Sequence, residues 1–265
     1  MLAQAQWYPG HMARTRRQIR ESLSLIDVLI EVVDARIAHS GRYPMLDDML
    51  QGKKRFIALT RDDLANRATT NAWLRSFAER GHAAVALDAR ASRAVAALAR
   101  DVSKDAADRK GIARSMIVGA PNSGKSSIVN ALLRRAKAKT ENRAGVTRAM
   151  QWFRLAPAVE LLDTPGVLPP KIGAPAARWK LALCGALPHN RFDPREVAEA
   201  FHRWFVSHGG NRDVPDLATF AVQRGFLGKG AQPDLTNASR AYIRVFNEGA
   251  FGRISLEHPD DSEAA

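Results

Sequence analysis

The chain has 265 residues, 46% of them hydrophobic, one cysteine and a formal net charge of +13. No apolar run reaches the length of about 18 residues that a membrane-spanning helix needs, and one thiol excludes an internal disulfide or a multi-thiolate metal centre. The basic excess favours a polyanionic partner, nucleic acid first, over the alternative of a solvated arginine-rich surface.

Residues 7–20 read Trp-Tyr-Pro-Gly-His-Met-Ala-Arg-Thr-Arg-Arg-Gln-Ile-Arg. The aromatic-Pro-Gly start predicts a turn. A helix follows with His11 at the hinge, and its Arg14, Arg16, Arg17 and Arg20 are expected to contact RNA. The residues before Trp7 lack a basic start and an apolar core, so no secretory leader is expected. A soluble protein of a reducing, cytoplasmic compartment is the expectation.

The apolar, β-branched run over 25–34 predicts a buried parallel strand ending in the polar loop Asp34-Ala-Arg-Ile. Next come a short helix over 45–50 and a strand over 55–59 that runs into Thr60-Arg61-Asp62-Asp63. A helix over 72–80, a strand over 83–87 running into Asp88-Ala89, and a helix over 93–101 follow. The strand over 114–118 leads into Gly119-Ala-Pro-Asn-Ser-Gly-Lys-Ser126, and a helix begins at Ser127. Strands over 150–155 and 158–162 read as a hairpin about Ala156-Pro157, and the second ends in Asp163-Thr-Pro-Gly166. Residues 167–177, rich in Pro and Gly, predict a mobile linker. Helices are expected over 179–187, 194–208, 216–224 and 237–247. The acidic stretch 257–265 reads as a disordered tail. The fold class is therefore α/β. A doubly wound, mostly parallel sheet spans 1–175, and a small all-helical domain spans 176–265. Cys184 reads as a small apolar residue within a helix.

The stretch from Gly119 to Ser126 fits G-x-x-x-x-G-K-[ST], the phosphate-binding loop. Its glycines permit a tight path that turns successive N–H groups toward phosphate oxygens, and the helix N-terminus adds partial positive charge. Asn122, Ser123, Gly124, Lys125, Ser126 and Ser127 form the expected nucleotide cradle. Lys125 would reach the β- and γ-phosphates, and the Ser126 hydroxyl would ligate Mg²⁺. Asp163 at a strand end would hold Mg²⁺ through water, and Gly166 would offer its N–H to a γ-phosphate. Thr147, in the loop between the motifs, would add its hydroxyl to the metal. Asp63 could accept two hydrogen bonds from guanine, Arg61 could stack over the ring, and Thr60 could steady the loop. Asp88-Ala89 would touch the base through its backbone. In chain order the base loops precede the phosphate loops, so the sequence is a circular permutation of motifs that share one sheet edge.

That order resembles the circularly permuted P-loop GTPases, and the ends of the chain narrow the resemblance. Trp7-Tyr-Pro-Gly-His-Met-Ala-Arg, Val33-Asp-Ala-Arg-Ile, Gly119-Ala-Pro-Asn-Ser-Gly-Lys-Ser-Ser, Leu161-Leu-Asp-Thr-Pro-Gly-Val-Leu and Phe251-Gly-Arg-Ile-Ser-Leu-Glu look like motifs of the ribosome biogenesis GTPase A (YlqF/RbgA) family. The resemblance implies a GTPase that binds GTP and GDP, docks on a late precursor of the large ribosomal subunit, contacts its RNA and proteins, and promotes maturation. It implies no membrane partner, a monomer off the ribosome, Mg²⁺, and a K⁺ held in part by Asn122. It also implies a catalytic role for His11, since Val167 stands where related enzymes orient water with glutamine. The chain departs from the family at the base side. Thr60-Arg61-x-Asp63 replaces N-K-x-D, Asp88 replaces the serine of the S-A pair, and Ala38 replaces a proline. The alternative reading is an RNA-binding assembly module with relaxed nucleotide specificity.

Overall fold

A computed structural model describes residues 10–50, 53–87, 98, 112–135, 149–157, 159–170, 172, 174–210 and 214–262. Six strands are found among them: β1 (Val28–Asp34), β2 (Lys54–Thr60), β3 (Ala83–Leu87), β4 (Ala113–Gly119), β5 (Gln151–Ala156) and β6 (Val159–Asp163). They form one sheet in the order β3-β2-β1-β4-β6-β5. All neighbours run parallel except β5, which pairs antiparallel with β6 across a tight hairpin.

The sheet grows outward from β1 to β3, and β4 then begins on the other side of β1. The crevice beyond the carboxyl ends of β1 and β4 is thus the switch point where open α/β sheets bind ligands. The register aligns the chemistry there: Asp34 pairs with Thr60, Val32 with Gly119, and Ile117 with Asp163.

Helices cover both faces. The helices of the N-terminal half are α1 (Gly10–Ser22), α2 (Met45–Met49), α3 (Arg67–Glu79) and α4 (Lys125–Arg135). Every residue of β1 is buried, which is why it reads as a continuous apolar run rather than an alternating one. Val28, Ile30 and Val32 meet Ile128, Val129 and Leu132 of α4. On the other face Leu29 meets Ile19 of α1 and Leu46 of α2, and Val33 meets Trp73 and Phe77 of α3. Glu31 sits mid-strand with no exposure. It is tolerated because Tyr43 N donates to it at 2.9 Å and Arg55 and Arg42 pair with it.

The C-terminal part is helical: α5 (Pro175–Leu183), α6 (Pro194–Ser207), α7 (Leu217–Gln223), α8 (Leu235–Asn247) and α9 (Pro259–Ser262). Asp193, Asp216 and Asp234 cap the starts of α6, α7 and α8 by accepting backbone N–H bonds. Phe201 lies at the centre, its ring 5.0 Å from that of Phe246 and 6.1 Å from that of Tyr242. This core does not stop at the helices. Met12, Ile37, Ala120 and Leu168 belong to the same buried cluster.

Three expectations need correction. The linker expected over 167–177 is anchored where it begins, with Val167 and Leu168 buried and Val167 N donating to Gly119 O at 3.1 Å. The helix expected over 179–187 starts and stops earlier. Pro175 suits a first helical turn, and Gly185, with φ +78°, ends it. The acidic tail expected to be disordered from 257 is held at its head. Glu257 is 7% exposed and accepts bonds from His39 N at 2.8 Å, Ser40 N at 2.9 Å and the Ser40 hydroxyl. Lys180 pairs with it at 3.3 Å, and α9 follows. Charge alone suggested a solvated end; two backbone N–H donors and a lysine make it a buried anchor. Glu257→Ala leaves those donors unmet and should lower unfolding stability by about 3 kcal/mol, read from denaturant titration. The helix expected over 93–101 lies outside the described residues except for Leu98, which is helical and buried.

Candidate nucleotide site

β4 delivers the chain into the crevice at Gly119, and α4 leaves it at Lys125. A Cβ on Gly119 would collide with the Val32 carbonyl of β1, so the first glycine is required by strand packing. Gly124 has φ +94° and Asn122 φ +56°, left-handed positions that glycine adopts freely and asparagine tolerates. The loop from β6 packs directly on this turn. A Cβ on Gly166 would lie 2.7 Å from Pro121 Cα, and the Thr164 hydroxyl donates to Ile117 O at 2.8 Å.

Lys125 is 7% exposed and donates to Ala120 O at 2.7 Å and Gly119 O at 3.0 Å. An ammonium has three donors, so one remains for a ligand. Burial pulls its pKa down to about 8, and the nearby Asp163 charge opposes the shift. Ser126 and Ser127 follow on α4, both lining the cleft. Asp163, at the end of β6, is 1% exposed. A hydroxyl and a carboxylate are oxygen donors, the set that suits Mg²⁺, which keeps several of its waters. Ser126 and Asp163 therefore fit the metal.

The base side is built differently from the expectation. The Thr60 hydroxyl donates to Ser123 O at 2.6 Å and lies 3.1 Å from Val33 O. It braces β2 against the phosphate loop. Arg61 does not extend as a free stacking platform. Its Nη2 donates to Asn122 O at 3.0 Å, and Nη1 lies 3.5 Å from Asp34 Oδ2 and 3.4 Å from Asn247 Oδ1. A guanidinium fork spans three acceptors that a lysine could not serve together. Asp63 lines the same cleft. Asn122 gives its Nδ2 to Gly185 O at 2.7 Å; a cation would be met by Oδ1.

Thr60, Arg61, Asp63, Asn122, Lys125 and Ser126 share a cleft of about 1690 Å³, which Arg14, Arg134, Arg240 and Arg244 also line. Of the arginines expected to contact RNA, Arg14 lines this cleft, and Arg17 pairs with Glu21 at 3.5 Å. Arg16 reaches Met45 Sδ at 3.9 Å, and Arg20 is exposed. His11 falls in the first turn of α1, next to Met12 of the cleft wall. Thr147, Asp88 and Ala89 lie outside the described residues.

Sequence reasoning missed the groups behind the loops. Asp34 grips Arg36 through Nε at 3.0 Å and Nη2 at 2.8 Å. Burial alone would raise the Asp34 pKa; the Arg36 and Arg61 charges and the Arg36 hydrogen bonds outweigh it and hold it below 3.8. Asn247 ends α8 against both arginines. The segment 253–257 straps the base loop: Arg253 Nε donates to Ala65 O at 2.8 Å, and Ile254 N to Leu64 O at 3.0 Å. The resemblances of Val33-Asp-Ala-Arg-Ile and Phe251-Gly-Arg-Ile-Ser-Leu-Glu to family motifs were the available signals. Cys184 is buried, and burial pushes its thiol up to about 12, which makes it inert.

A model of a 50S ribosome-binding GTPase family matches residues 114–191. The chain is 36% identical to ribosome biogenesis GTPase A of Bacillus cereus, over 97% of this chain and 94% of that protein. It superposes on the GDP-bound YlqF of Thermotoga maritima with a TM-score of 0.72 and 32% identity, covering 92% of this chain and 100% of that one. The GNP-bound YlqF of T. maritima gives a TM-score of 0.72 and 31% identity, covering 93% and 99%.

Proposed function

The chain belongs to the ribosome biogenesis GTPase A family, and from that premise we propose that this ribosome-assembly GTPase binds a late precursor of the large subunit and promotes its maturation. The observation that carries the reading is the convergence of Thr60, Asp63, Lys125, Ser126, Asp163 and Gly166 at one switch point. Asp63 would read the guanine edge, with Thr60 and Arg61 fixing the loop on which it stands. Lys125 and the backbone of 122–127 would hold the phosphates. Ser126, Asp163 and Thr147 would hold Mg²⁺, which when bound neutralises charge on the β- and γ-phosphates. Asn122 Oδ1 would help hold K⁺ beside them. Asp88 and Ala89 would close over the base.

Val167 follows Gly166 and is 1% exposed; it has no group to orient water. His11, on the helix that forms one wall of the cleft, is the candidate to supply that group. Bound GTP would order the loops around Thr147 and Gly166, and hydrolysis would release the docked state. Arg14, Arg16, Arg17 and Arg20 on α1 would meet ribosomal RNA together with the C-terminal helices. The protein would act in the cytoplasm, as a monomer when off the ribosome.

The test is GTP hydrolysis in potassium buffer, with and without purified large subunits, against ATP. Stimulation of roughly tenfold or more with GTP alone is expected. Equal use of ATP, or no response to subunits, would favour the RNA-binding module with relaxed nucleotide specificity. On this reading the specificity resides in Asp63, since Arg61 is committed to the phosphate loop.

A further inference from the structure

We propose that Asn247, at the end of α8, is a positioning residue of the nucleotide site. It acts through Arg61 and makes GTP affinity depend on how the C-terminal helices are seated. The inference rests on the reading of the cleft as a GTP site.

The Asn247 carboxamide is fully used. Its Oδ1 accepts from Arg36 Nη2 at 3.1 Å and Arg61 Nη1 at 3.4 Å. Its Nδ2 donates to Leu183 O at 2.7 Å and Ile243 O at 2.9 Å. The orientation is fixed by chemistry: two guanidiniums can only donate, and two carbonyls can only accept. Arg61 carries the link onward to Asn122 O at 3.0 Å, and Asn122 returns it to Gly185 O at 2.7 Å. Leu183 and Gly185 lie two residues apart at the end of α5. The hydrogen bonds therefore close a ring through the base loop, the phosphate loop, α5 and α8.

Both loop residues in the ring have a left-handed backbone, with φ +56° at Arg61 and at Asn122. For an arginine that conformation is unfavourable and persists only where contacts hold it. The contacts holding it come from the phosphate loop, from α8 and from Asp34 at the end of β1. The arginine in place of the family's usual lysine is thus more than a lapse in the base motif. Its fork recruits α8 into the site. Because coupling is reciprocal, nucleotide in the phosphate loop would bias the seat of α8. That helix also turns the exposed Arg240 and Arg244 toward the cleft.

A double-mutant cycle tests this. GTP affinity is measured with a fluorescent GTP analogue and Mg²⁺ for wild type, Arg61→Ala, Asn247→Ala and the double variant, with thermal midpoints recorded separately. Each single change is expected to weaken binding roughly tenfold. The double should be no more than about twofold weaker than the worse single, because both remove one linkage. Asn247→Asp keeps an oxygen that accepts from both arginines and loses the Nδ2 donor. It is expected to bind GTP within about threefold of wild type even where its thermal midpoint falls. Losses that multiply, an Asn247→Ala within twofold of wild type, or an Asn247→Asp affinity that falls with its midpoint would overturn the proposal. If the alanine does not fold, Asn247→Ser takes its place in the cycle with the same expectation. Its hydroxyl keeps a bond to Ile243 O but cannot reach Arg61. A wild type that fails to bind GTP overturns the functional reading as well; a wild type that binds with multiplying losses overturns the positioning role alone.

Discussion

Lys125→Ala is expected to weaken GTP binding by roughly 100-fold or more and to abolish measurable hydrolysis. The ammonium is the buried cation at the phosphate end of the cleft, held by two carbonyls of its own loop with one donor left over. Removing it leaves the carbonyls of Gly119 and Ala120 facing the ligand's anionic end with nothing between. Its pH behaviour gives a second readout. The pKa of about 8 lies below the ordinary 10.5 because burial disfavours the charge. Between those values the unfolded chain binds more protons than the folded one, so nucleotide-free stability should rise as pH climbs from 8 toward 10.5. In the proposed role of Lys125, phosphate binding requires the ammonium, so GTP affinity should do the opposite and fall by about tenfold per pH unit above 8. Titration with a fluorescent GTP analogue at pH 7, 8 and 9, beside thermal melts of the free protein, separates the two trends. The alanine variant should show neither. An alanine variant that binds GTP like the wild type would sink the assignment of the phosphate loop.

The strands and the phosphate loop were legible because their signals are local. A buried parallel strand is apolar along most of its length, and β1 is so apart from Glu31 and the terminal Asp34; a turn that crosses closely over a neighbouring strand requires glycine, and Gly119 supplies it. The parallel order followed from the alternation of strand and helix alone. What stayed hidden is what depends on distant partners. Nothing near Asn247 marks it, since an asparagine at a helix end is usually solvated; its meaning comes from arginines 211 and 186 positions away. Glu257 looked like the start of a charged tail because the backbone donors at His39 and Ser40 that bury it are equally remote. The departures at Thr60 and Arg61 looked like erosion when set against a motif. In the fold each one braces the phosphate loop, Thr60 through Ser123 O and Arg61 through Asn122 O. The Pro- and Gly-rich stretch after Gly166 misled for the opposite reason. Its composition suggests mobility, yet Leu168 fills the joint between the sheet and the C-terminal helices, and Val167 belongs to the core beneath α1 with Ile19 and Leu162.

That joint contains the interaction with the second large expected effect. Arg36 is 1% exposed, forks onto Asp34, donates to Asn247 and stacks 4.9 Å from the Phe246 ring centre. Arg36→Met keeps an apolar stem against Phe246 and strands the Asp34 carboxylate. The expected cost is about 4 kcal/mol, or a thermal midpoint lower by about 10 °C in a chain of this size. Arg61 also pairs with Asp34, at 3.5 Å, so part of the charge is still met and the fold should survive. Adding Asp34→Asn removes the stranded charge and should recover at least half of the loss. Acid gives an independent check. In the wild type the Asp34 pKa lies below 3.8, so its contribution is present above that value and is lost as pH falls through the folded pKa. In Arg36→Met the main charge lowering that pKa is gone and burial pushes it up. The variant's penalty should therefore shrink as pH falls from 6 toward 4, and the two stability curves should converge. Parallel curves, or a double variant no better than the single, would mean that Arg36 acts by filling space against Phe246 and not by neutralising Asp34. Convergence would show that one ion pair seats the helical region on the strand end from which the nucleotide loops are hung.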